Sequence, residues 1–409
     1  MPVEFIVGFA TILLLLAVIA EPVANKLGLP HSSVLVVLGI VSAYTATQGF
    51  DIDTGLRSTN FHQLVFFIFL PVLIFEAAYN LPQQTLRENI WPIMFLAIIG
   101  MLFTTGTAAL LLYFGIDHAT GFPWMAALLA GALLAATDPV AVVAQLKSLG
   151  APKRLEILLE GESLFNDATA IVLFGIFLSL ATMSGSEVTV STGIIEFSRV
   201  FLGGSIVGLI FGFIGARLSI WLEHKMTQAI ITITIAYGSF LIAESALQVS
   251  GVMATLVAGL MLARVQVNQE SKQQIDFLWG ALAYIANGSI FLLMGVTVTL
   301  AMFTDRWLAM LIAIGAIVVA RTLATFAGLG LINLTLSSPI SMAYQSVLVW
   351  GGLRGAVTLA LALSLPVELE YWFTIQSMAF GVVLFTLFIQ APTMPWLLSK
   401  TKLVNVETK

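Results

Sequence analysis

The sequence predicts an all-α polytopic membrane protein. Apolar residues make up 59% of its 409 positions and charged residues only 10%, against about 25% charged residues in an average soluble domain. The apolar stretches are continuous and of the length, about 20 residues, that an α-helix needs to cross about 30 Å of hydrocarbon. Strands of a membrane barrel would instead alternate in polarity over about 10 residues. The stretches are therefore predicted to be helices.

The composition also excludes several other classes of protein. Lys and Arg number 17 against 22 Asp and Glu, a net charge of −5, so the chain lacks the basic surplus of a nucleic-acid binder. Cys is absent, so no disulfide or thiol chemistry is available. A soluble enzyme of this size needs a charged surface that so few charged residues do not supply.

Charge, Pro and Gly interrupt the apolar pattern and divide the chain into thirteen predicted spans. The first is interpreted as a retained helix, because no Lys or Arg precedes its apolar run as it would in a secretory signal. The ninth is short, and its merging with the eighth is left open. The predicted spans are 3–20, 30–47, 62–79, 91–114, 123–147, 156–183, 194–222, 227–247, 251–264, 275–301, 307–336, 344–365 and 371–398.

The charges of the loops predict the orientation of the chain, because Lys and Arg accumulate in cytoplasmic loops. With thirteen spans, one set of loops carries 12 Lys and Arg, while the other carries only Arg57, Arg199 and Arg306. The N-terminus is therefore predicted to lie outside and the C-terminus in the cytoplasm. The predicted location is the cell (plasma or inner) membrane, which the chain crosses many times.

An odd number of spans also predicts the internal organisation. If the seventh span, 194–222, is a linking helix, then 1–183 and 227–398 are two six-helix halves of opposite topology. Such inverted repeats are typical of secondary transporters. The chain is predicted to form a single membrane domain, 1–409, with a short cytoplasmic tail at 399–409.

The fifth and twelfth spans carry matching interruptions at mid-depth. In the fifth, Pro139 removes a main-chain donor and suits the first position of a new helix, while Thr137 or Asp138 can cap it. In the twelfth, three glycines, Gly352 among them, surround Arg354. Interrupted spans in corresponding positions of two halves point to a transport site. Two such helices bring two positive and two negative helix ends to mid-membrane, which Asp138 and Arg354 would neutralise.

The sixth span carries a candidate cation site. Ser163 and Asp167 are four residues apart and share a helix face, and Glu162 and Asn166 share the neighbouring face. An isolated carboxylate in the apolar zone lowers its energy by taking a proton or by holding a cation. Hard cations prefer oxygen ligands. Asp167, Ser163 and Thr137 supply such ligands, so the span predicts a site that exchanges a cation for a proton.

Two further acids are harder to place from the sequence. Glu76 lies near the cytoplasmic end of the third span, where it either joins the site through the helix-breaking Pro71 or extends to the interface. Glu244, near the end of the eighth span, is interpreted as interfacial, with a role at a site left open.

Charge balance suggests a role for each central group. An Arg at mid-membrane needs an acidic partner, and we hypothesise that Arg321 pairs with Glu162. If Asp138 and Arg354 balance the helix ends, Asp167 is left as the exchangeable carboxylate.

Four motifs together resemble one transporter family. They are Phe-Leu-Pro-Val-Leu-Ile-Phe-Glu-Ala-Ala at 69–78, Thr-Asp-Pro at 137–139, Glu-Ser-Leu-Phe-Asn-Asp at 162–167 and Gly-Gly-Leu-Arg-Gly-Ala-Val at 351–357. In this order and spacing they resemble the cation/proton antiporter-1 family, specifically its NhaP-like sodium/proton antiporters, which are related to the animal sodium/hydrogen exchangers. The resemblance covers essentially the whole chain.

The resemblance implies a fold and a set of site residues. The fold has thirteen helices in two inverted repeats, with the discontinuous helices 5 and 12 crossing. Arg321 is similar to the arginine that pairs with the glutamate of the sixth helix. The implied ion site consists of Asp167, Ser163, Thr137 through its backbone oxygen, and Glu76, with Asp138 and Glu162 one layer further out.

The same resemblance implies how the protein works. Asn166, before Asp167, is similar to the electroneutral branch of the family, whereas electrogenic relatives carry Asp-Asp. The chain is expected to be a homodimeric transporter in a lipid bilayer, not an enzyme. It is expected to need no cofactor, since Na⁺ and H⁺ are its substrates.

A stripe of small residues in the seventh span allows close helix packing. Gly204, Gly208 and Gly212 recur every four residues. Whether the stripe packs within the protomer or at a dimer interface is left open by the sequence.

The predicted function is therefore exchange of Na⁺ or Li⁺ for H⁺ by alternating access, with proton and cation competing for Asp167. Exchange of K⁺ on the same fold is the nearest alternative, because selectivity depends on geometry that a sequence does not show. A passive cation channel is disfavoured by the titratable Asp167 within a broken-helix crossing. An intramembrane aspartyl protease using Asp138 and Asp167 is disfavoured because Pro139 follows Asp138 and Gly-x-Gly-Asp is absent.

Overall fold

The structure, a computed structural model, describes residues 3–27, 29–49, 63–116, 121–182, 190–222, 224–336 and 338–404. All regular secondary structure within these ranges is helical. The predicted all-α class is therefore confirmed.

The helices follow the predicted order along the chain. Short π-wound stretches occur within several of them, where a helix widens by one residue. In the labels used below, the letters a and b mark the two parts of an interrupted helix. The helices are α1 (Val3–Leu27), α2 (His31–Gly49), α3 (Val65–Asn80), α4 (Gln83–Gly115), α5a (Trp124–Ala135), α5b (Val140–Ser148), α6 (Lys153–Thr182), α7 (Val190–Trp221), α8 (Lys225–Ala246), α9 (Gly251–Leu262), α10 (Gln269–Thr297), α11 (Leu300–Ile332), α12a (Met342–Trp350), α12b (Ala356–Leu363) and α13 (Trp372–Lys400).

The observed helix bounds differ most from the predicted ones where polar residues continue a helix. The fourth helix begins at Gln83 rather than at 91, because its polar first turns remain helical and bury Leu86 and Asn89. The eleventh begins at Leu300 rather than at 307, and the charged pair Asp305-Arg306 forms a kink inside it instead of a loop. At these two helix starts, residues that were predicted to form loops because they are charged or polar are helical.

The eighth and ninth helices are separate. Between them, Gln248 adopts a left-handed conformation with φ 53°, and the Ser250 hydroxyl accepts a hydrogen bond of 3.1 Å from Met253 N–H at the start of α9. The turn reverses the chain and caps the new helix.

The number of membrane crossings stays a prediction. Eight of the described helices, counting the interrupted α5 as one, are long and apolar enough to span a membrane, and three shorter apolar helices accompany them. The proposed tail falls partly outside the described residues, since 405–409 lie beyond them and α13 ends at Lys400.

The interrupted helices lie deep inside the molecule. The largest apolar core joins α4, α5, α6, α11, α12 and α13, through residues such as Leu133, Leu158, Ala320 and Met378. In α5, 78% of the apolar window is buried, against 28% in α7. The α5 interruption is therefore shielded from lipid, which is required of non-helical backbone at membrane depth.

Close packing of glycines positions the peripheral helices. On α7, a Cβ added to Gly204 or Gly208 would meet main-chain carbonyls at the N-cap and in the first turn of α9, and one on Gly212 would lie 2.6 Å from Met261 Cβ. The stripe therefore packs within the protomer, against α9. Gly39 of α2 and Gly295 of α10 meet in the same way, with an added Cβ on Gly39 only 2.9 Å from Gly295 Cα.

Candidate ion-binding site at the helix crossing

The two interruptions meet each other. The N–H of Asp138, in the unwound stretch of α5, donates a hydrogen bond of 2.7 Å to the carbonyl of Leu353 in the unwound stretch of α12. Gly355 allows this approach, because a Cβ added to it would lie 2.6 Å from both Cβ and Cγ of Asp138. The predicted crossing of the fifth and twelfth helices is therefore present.

The Asp138 carboxylate faces the start of both second halves. Its Oδ1 accepts a hydrogen bond of 3.1 Å from Val140 N–H at the start of α5b, and its Oδ2 accepts one of 3.5 Å from Ala356 N–H at the start of α12b. Helix N-termini carry partial positive charge. One carboxylate thus serves two helix ends. Pro139 precedes α5b as its N-cap residue, one position earlier than predicted.

Arg354 contacts the C-terminal ends of the two first halves, α5a and α12a. Its Nε donates a hydrogen bond of 2.9 Å to the carbonyl of Leu134 near the end of α5a, and its Nη1 donates to the carbonyl of Gly352 after α12a. The side chain is 1% exposed. A guanidinium placed on carbonyls at C-terminal helix ends compensates their partial negative charge. Arg354 therefore lies where the sequence analysis expected a cation, next to the negative ends of α5a and α12a.

Glu162 and Arg321 form a buried ion pair with two hydrogen bonds. Arg321 Nη1 donates to Oε1 of Glu162 and Nη2 donates to Oε2 across 2.9 Å. Nη2 also donates to the Leu348 carbonyl in α12a across 3.1 Å. Gly352 leaves room for this arginine, because an added Cβ would lie 3.1 Å from Arg321 Nε. The negative charge of Glu162 is therefore already balanced within the protein.

Asp167 is in a different situation from Glu162. Its Oδ1 is buried without a hydrogen-bond partner among the described residues, and Asp167 lines the same cavity as Asp138. One helical turn earlier, the Ser163 hydroxyl donates to the Thr137 carbonyl. Thr137 O and Ser163 Oγ thus lie together, and Asp167, one helical turn further along α6, adds a carboxylate oxygen without a partner.

Asn166 points to the same interruption from α6. Its Nδ2 donates a hydrogen bond of 3.4 Å to the carbonyl of Ala135, the last residue of α5a, and its Oδ1 is buried without a partner among the described residues. The residue before Asp167 therefore contributes an amide, without charge, to the end of α5a.

A cavity of about 660 Å³ leads to Asp167. Its outer part is lined by Lys147, Lys153, Glu156 and Glu160, and its inner end by Asp138, Ser163 and Asp167. Lys147 Nζ and Glu160 Oε1 form an ion pair of 3.0 Å at the entrance. The candidate site is therefore accessible from the end of the molecule that carries these charged residues.

Glu76 lines the same cavity. Its Oε1 accepts a hydrogen bond of 2.7 Å from Asn80 Nδ2, one turn later in α3. Glu76 therefore lies in the wall of the cavity that also contains Asp167, with its carboxylate held by Asn80.

The sequence reasoning missed three residues that shape the site. Asn80 was detectable, because it lies four residues after Glu76 on the same helix face. Gly355 was noted only as one of three glycines. Thr386 gave no local signal, yet its Oγ1 accepts a hydrogen bond of 3.2 Å from Arg354 N–H.

These features define a class of protein. Two discontinuous helices cross inside an apolar helical bundle, and a buried carboxylate beside their interruptions is accessible through a charged cavity. This arrangement is typical of secondary transporters, in which unwound main chain and half-helix ends hold the ion. Among the described residues, no group of three or more His, Asp or Glu is placed to hold a resident metal ion.

Comparison with known proteins narrows the class. Residues 11–400 match the family model described as "Sodium/hydrogen exchanger, transmembrane". The chain therefore belongs to the sodium/hydrogen exchanger family, whose members are transporters rather than enzymes. The match agrees with the resemblance to NhaP-like antiporters.

Two relatives and one solved structure illustrate the similarity. The Na⁺/H⁺ antiporter ApNhaP of Aphanothece halophytica is 36% identical over 383 residues, 92% of this chain and 70% of the relative. The Na⁺/H⁺ antiporter NhaH of Halobacillus dabanensis is 32% identical over 409 residues, 97% and 98% of the two chains. The structure of the sodium proton antiporter MjNhaP1 from Methanocaldococcus jannaschii at pH 8 superposes with a TM-score of 0.83 over 98% and 99% of the chains. At 22% identity, that likeness shows the fold.

Proposed function

We propose that this protein exchanges Na⁺ or Li⁺ for H⁺ across a membrane, with both ions competing for Asp167. The observation that carries the proposal is the buried, unpartnered Asp167 Oδ1 at the inner end of the cavity. A buried carboxylate without a partner is stabilised by a proton or by a cation, but one site does not hold both. The relatives named above support the choice of Na⁺ as the cation.

The proposed ligands are oxygens of Asp167, Ser163, the Thr137 main chain and Glu76. Ser163 now donates its hydroxyl hydrogen to the Thr137 carbonyl. To admit a cation, this hydrogen turns away and both oxygens face the ion, because a cation needs lone pairs rather than donors. Glu76 exchanges its hydrogen bond from Asn80 for the ion.

The surrounding charges support electroneutral exchange. Glu162 is neutralised by Arg321, and Asn166 carries no charge. Asp138 is held on two helix N-termini. Asp167 is then the carboxylate that exchanges its proton for the cation, so one H⁺ replaces one Na⁺. Asp138, Arg354, Pro139 and Gly352 hold the crossing in place, and no cofactor takes part.

The ions reach Asp167 alternately from the two sides. We propose that the charged cavity at Lys147 and Glu160 is the cytoplasmic entrance, since cytoplasmic loops are rich in Lys and Arg. The N-terminus then lies outside and the C-terminus inside. We further propose two inverted repeats, 1–183 and 227–398, linked by 194–222, and a homodimer in the cell membrane.

Everted membrane vesicles test the function directly. Respiration acidifies their lumen, and a pH-sensitive dye reports collapse of the gradient when Na⁺, Li⁺ or K⁺ is added. Collapse by Na⁺ or Li⁺ that is lost in Asp167→Asn is expected, because Asn neither titrates nor balances the cation. Collapse of the pH gradient by K⁺ alone would identify K⁺, rather than Na⁺ or Li⁺, as the exchanged cation. Normal exchange by Asp167→Asn at wild-type protein levels would contradict the proposed mechanism.

A further inference from the structure

A second cavity lies on the opposite half of α6 from the charged entrance. It has a volume of about 630 Å³ and lies between α6, α7 and the turn that joins α8 to α9. Its walls include Gly175 and Ser179 of α6, Gly193 of α7, and Glu244 with Gln248 of the α8–α9 region. The proposed exchange at Asp167, as described so far, makes no use of it.

This cavity begins one helical turn from Asp167. Ile171, Gly175 and Ser179 follow Asp167 at four-residue intervals along α6, and all three line the cavity. At about 1.5 Å of rise per residue, Ile171 lies about 6 Å beyond Asp167 along the helix axis. Asp167 is the last residue of α6 that lines the charged cavity. A single turn of α6, from Asp167 to the apolar Ile171, therefore separates the linings of the two cavities along this helix.

The walls of the second cavity face open space. A Cβ added to Gly175 on α6, or to Gly193 on α7, would meet no atom within 4 Å. On the neighbouring α7–α9 contact, by contrast, a Cβ on Gly212 would lie 2.6 Å from Met261 Cβ. Space is thus left open between α6 and α7, while α7 and α9 are packed tightly together.

Glu244 gives this cavity a negative charge. Its Oε2 accepts a hydrogen bond of 2.8 Å from Gly251 N–H, and it has no ion pair among the described residues. Glu196, on the α7 wall, is in contrast paired with Arg199 at 2.6 Å. Glu244 also lies in the π-wound end of α8, Ile242–Ala246. Such helix distortions occur often at functional sites.

We propose that this cavity is the external entry route for the cation, and that Glu244 concentrates cations in it. A cleft with charge of one sign raises the local concentration of counter-ions and the rate at which they bind. Motion of α6 relative to α7–α9 that moves Ile171 aside would then connect the cavity with Asp167. The proposal rests on the cation exchange proposed above and adds the external path and its acidic residue.

The hydrogen bond to Gly251 also suits a purely structural role, in which Glu244 caps α9. Glu244→Gln separates the two roles, because the amide oxygen still accepts from Gly251 N–H while the charge is lost. Glu196→Gln is the matched control, since it removes a carboxylate of the same cavity that is already neutralised by Arg199.

Cysteine labelling tests the route independently of transport. The chain contains no Cys, so single-cysteine variants can be made without a background. Gly175→Cys and Gly193→Cys are expected to react in intact cells with a membrane-impermeant thiol reagent. Gly315→Cys, on an exposed face in the middle of α11 with open space around it, is expected not to react. Labelling of the first two only by a lipid-soluble reagent, or only in everted vesicles, would overturn the external route.

Kinetics from each side tests the role of Glu244. Glu244→Gln is expected to raise the apparent KM for external Na⁺ by roughly tenfold at low ionic strength, less in high salt, and to leave the internal KM unchanged. Glu196→Gln is expected to change neither. Equal KM values for Glu244→Gln and wild type on the external side would overturn the role of Glu244. Absence of Na⁺-dependent proton movement in the wild type would instead defeat the exchange function, while the labelling pattern would still report the cavity.

Discussion

Asp138 and Leu353 are joined by a main-chain hydrogen bond of 2.7 Å, from the N–H of Asp138 to the carbonyl of Leu353. The bond links the two interrupted helices at the point where each leaves helical geometry. It satisfies polar main-chain groups that have no partner in their own helix, as burial in an apolar bundle requires. Directly before this bond lies Thr137, whose carbonyl accepts the hydroxyl of Ser163, one helical turn before Asp167.

Substitution of Gly355 should disrupt the crossing. The methyl group of Gly355→Ala would lie 2.6 Å from Asp138 Cβ and Cγ, so α12b must move away from Asp138. We expect a loss of about 1–3 kcal/mol in stability, as for other overpacked sites, and loss of exchange. Thermal unfolding of purified protein in detergent measures the first and vesicle assays the second. Gly106→Ala, with open space around the added Cβ, is the control; equal effects of both substitutions would contradict the prediction.

Removal of the charge on Glu162 should leave a buried cation without a partner. Arg321 is 5% exposed and forms its only ion pair among the described residues with Glu162. Breaking a buried pair by removing one partner costs about 3–5 kcal/mol, so Glu162→Gln should strongly lower the midpoint of thermal unfolding. The double variant Glu162→Gln/Arg321→Gln should recover part of this loss, because no charge is left unpaired. Additive losses in the double variant would argue against the ion pair as the cause.

The apparent affinity for Na⁺ should fall as the pH is lowered. If a proton and Na⁺ compete for Asp167, protonation removes the free carboxylate to which Na⁺ binds. In the range where Asp167 is mostly protonated, each unit decrease in pH should raise the apparent KM for Na⁺ by about tenfold, the slope for one proton. Initial rates over a series of Na⁺ concentrations and pH values measure this slope. A KM independent of pH would exclude competition, and a slope of two would require a second titrating carboxylate.

Exchange by the wild type should not respond to the membrane potential. One H⁺ replaces one Na⁺ in the proposed cycle, so no net charge moves. A K⁺ gradient with valinomycin imposes the potential on proteoliposomes, and the rate of Na⁺ exchange should be the same with either sign. In Asn166→Asp, a second carboxylate lies beside Asp167, and we expect any remaining exchange to depend on the potential. Acceleration of wild-type exchange by one sign of the potential would contradict electroneutrality.

The sequence by itself determined the class of protein and the location of the interruptions. Continuous apolar stretches predict helices in a membrane, and Asp138-Pro139 and the glycines around Arg354 mark where helices break, because each acts through its own main chain. It also indicated Asp167 and Ser163 as neighbours, because a spacing of four residues fixes a shared face. These are local properties, which a sequence expresses directly.

Only the tertiary structure decided which residues contact each other across the helix crossing. Asp138 meets Ala356, and Arg354 meets the carbonyl of Leu134, between residues that are distant in the chain. The glycine stripe of α7 likewise packs against α9 rather than across a dimer interface. Main-chain N–H and carbonyl groups are the same at nearly every residue, so their pairing depends on how helices cross. The two cavities that flank Asp167 along α6 arise from the same packing, and no local pattern predicts them.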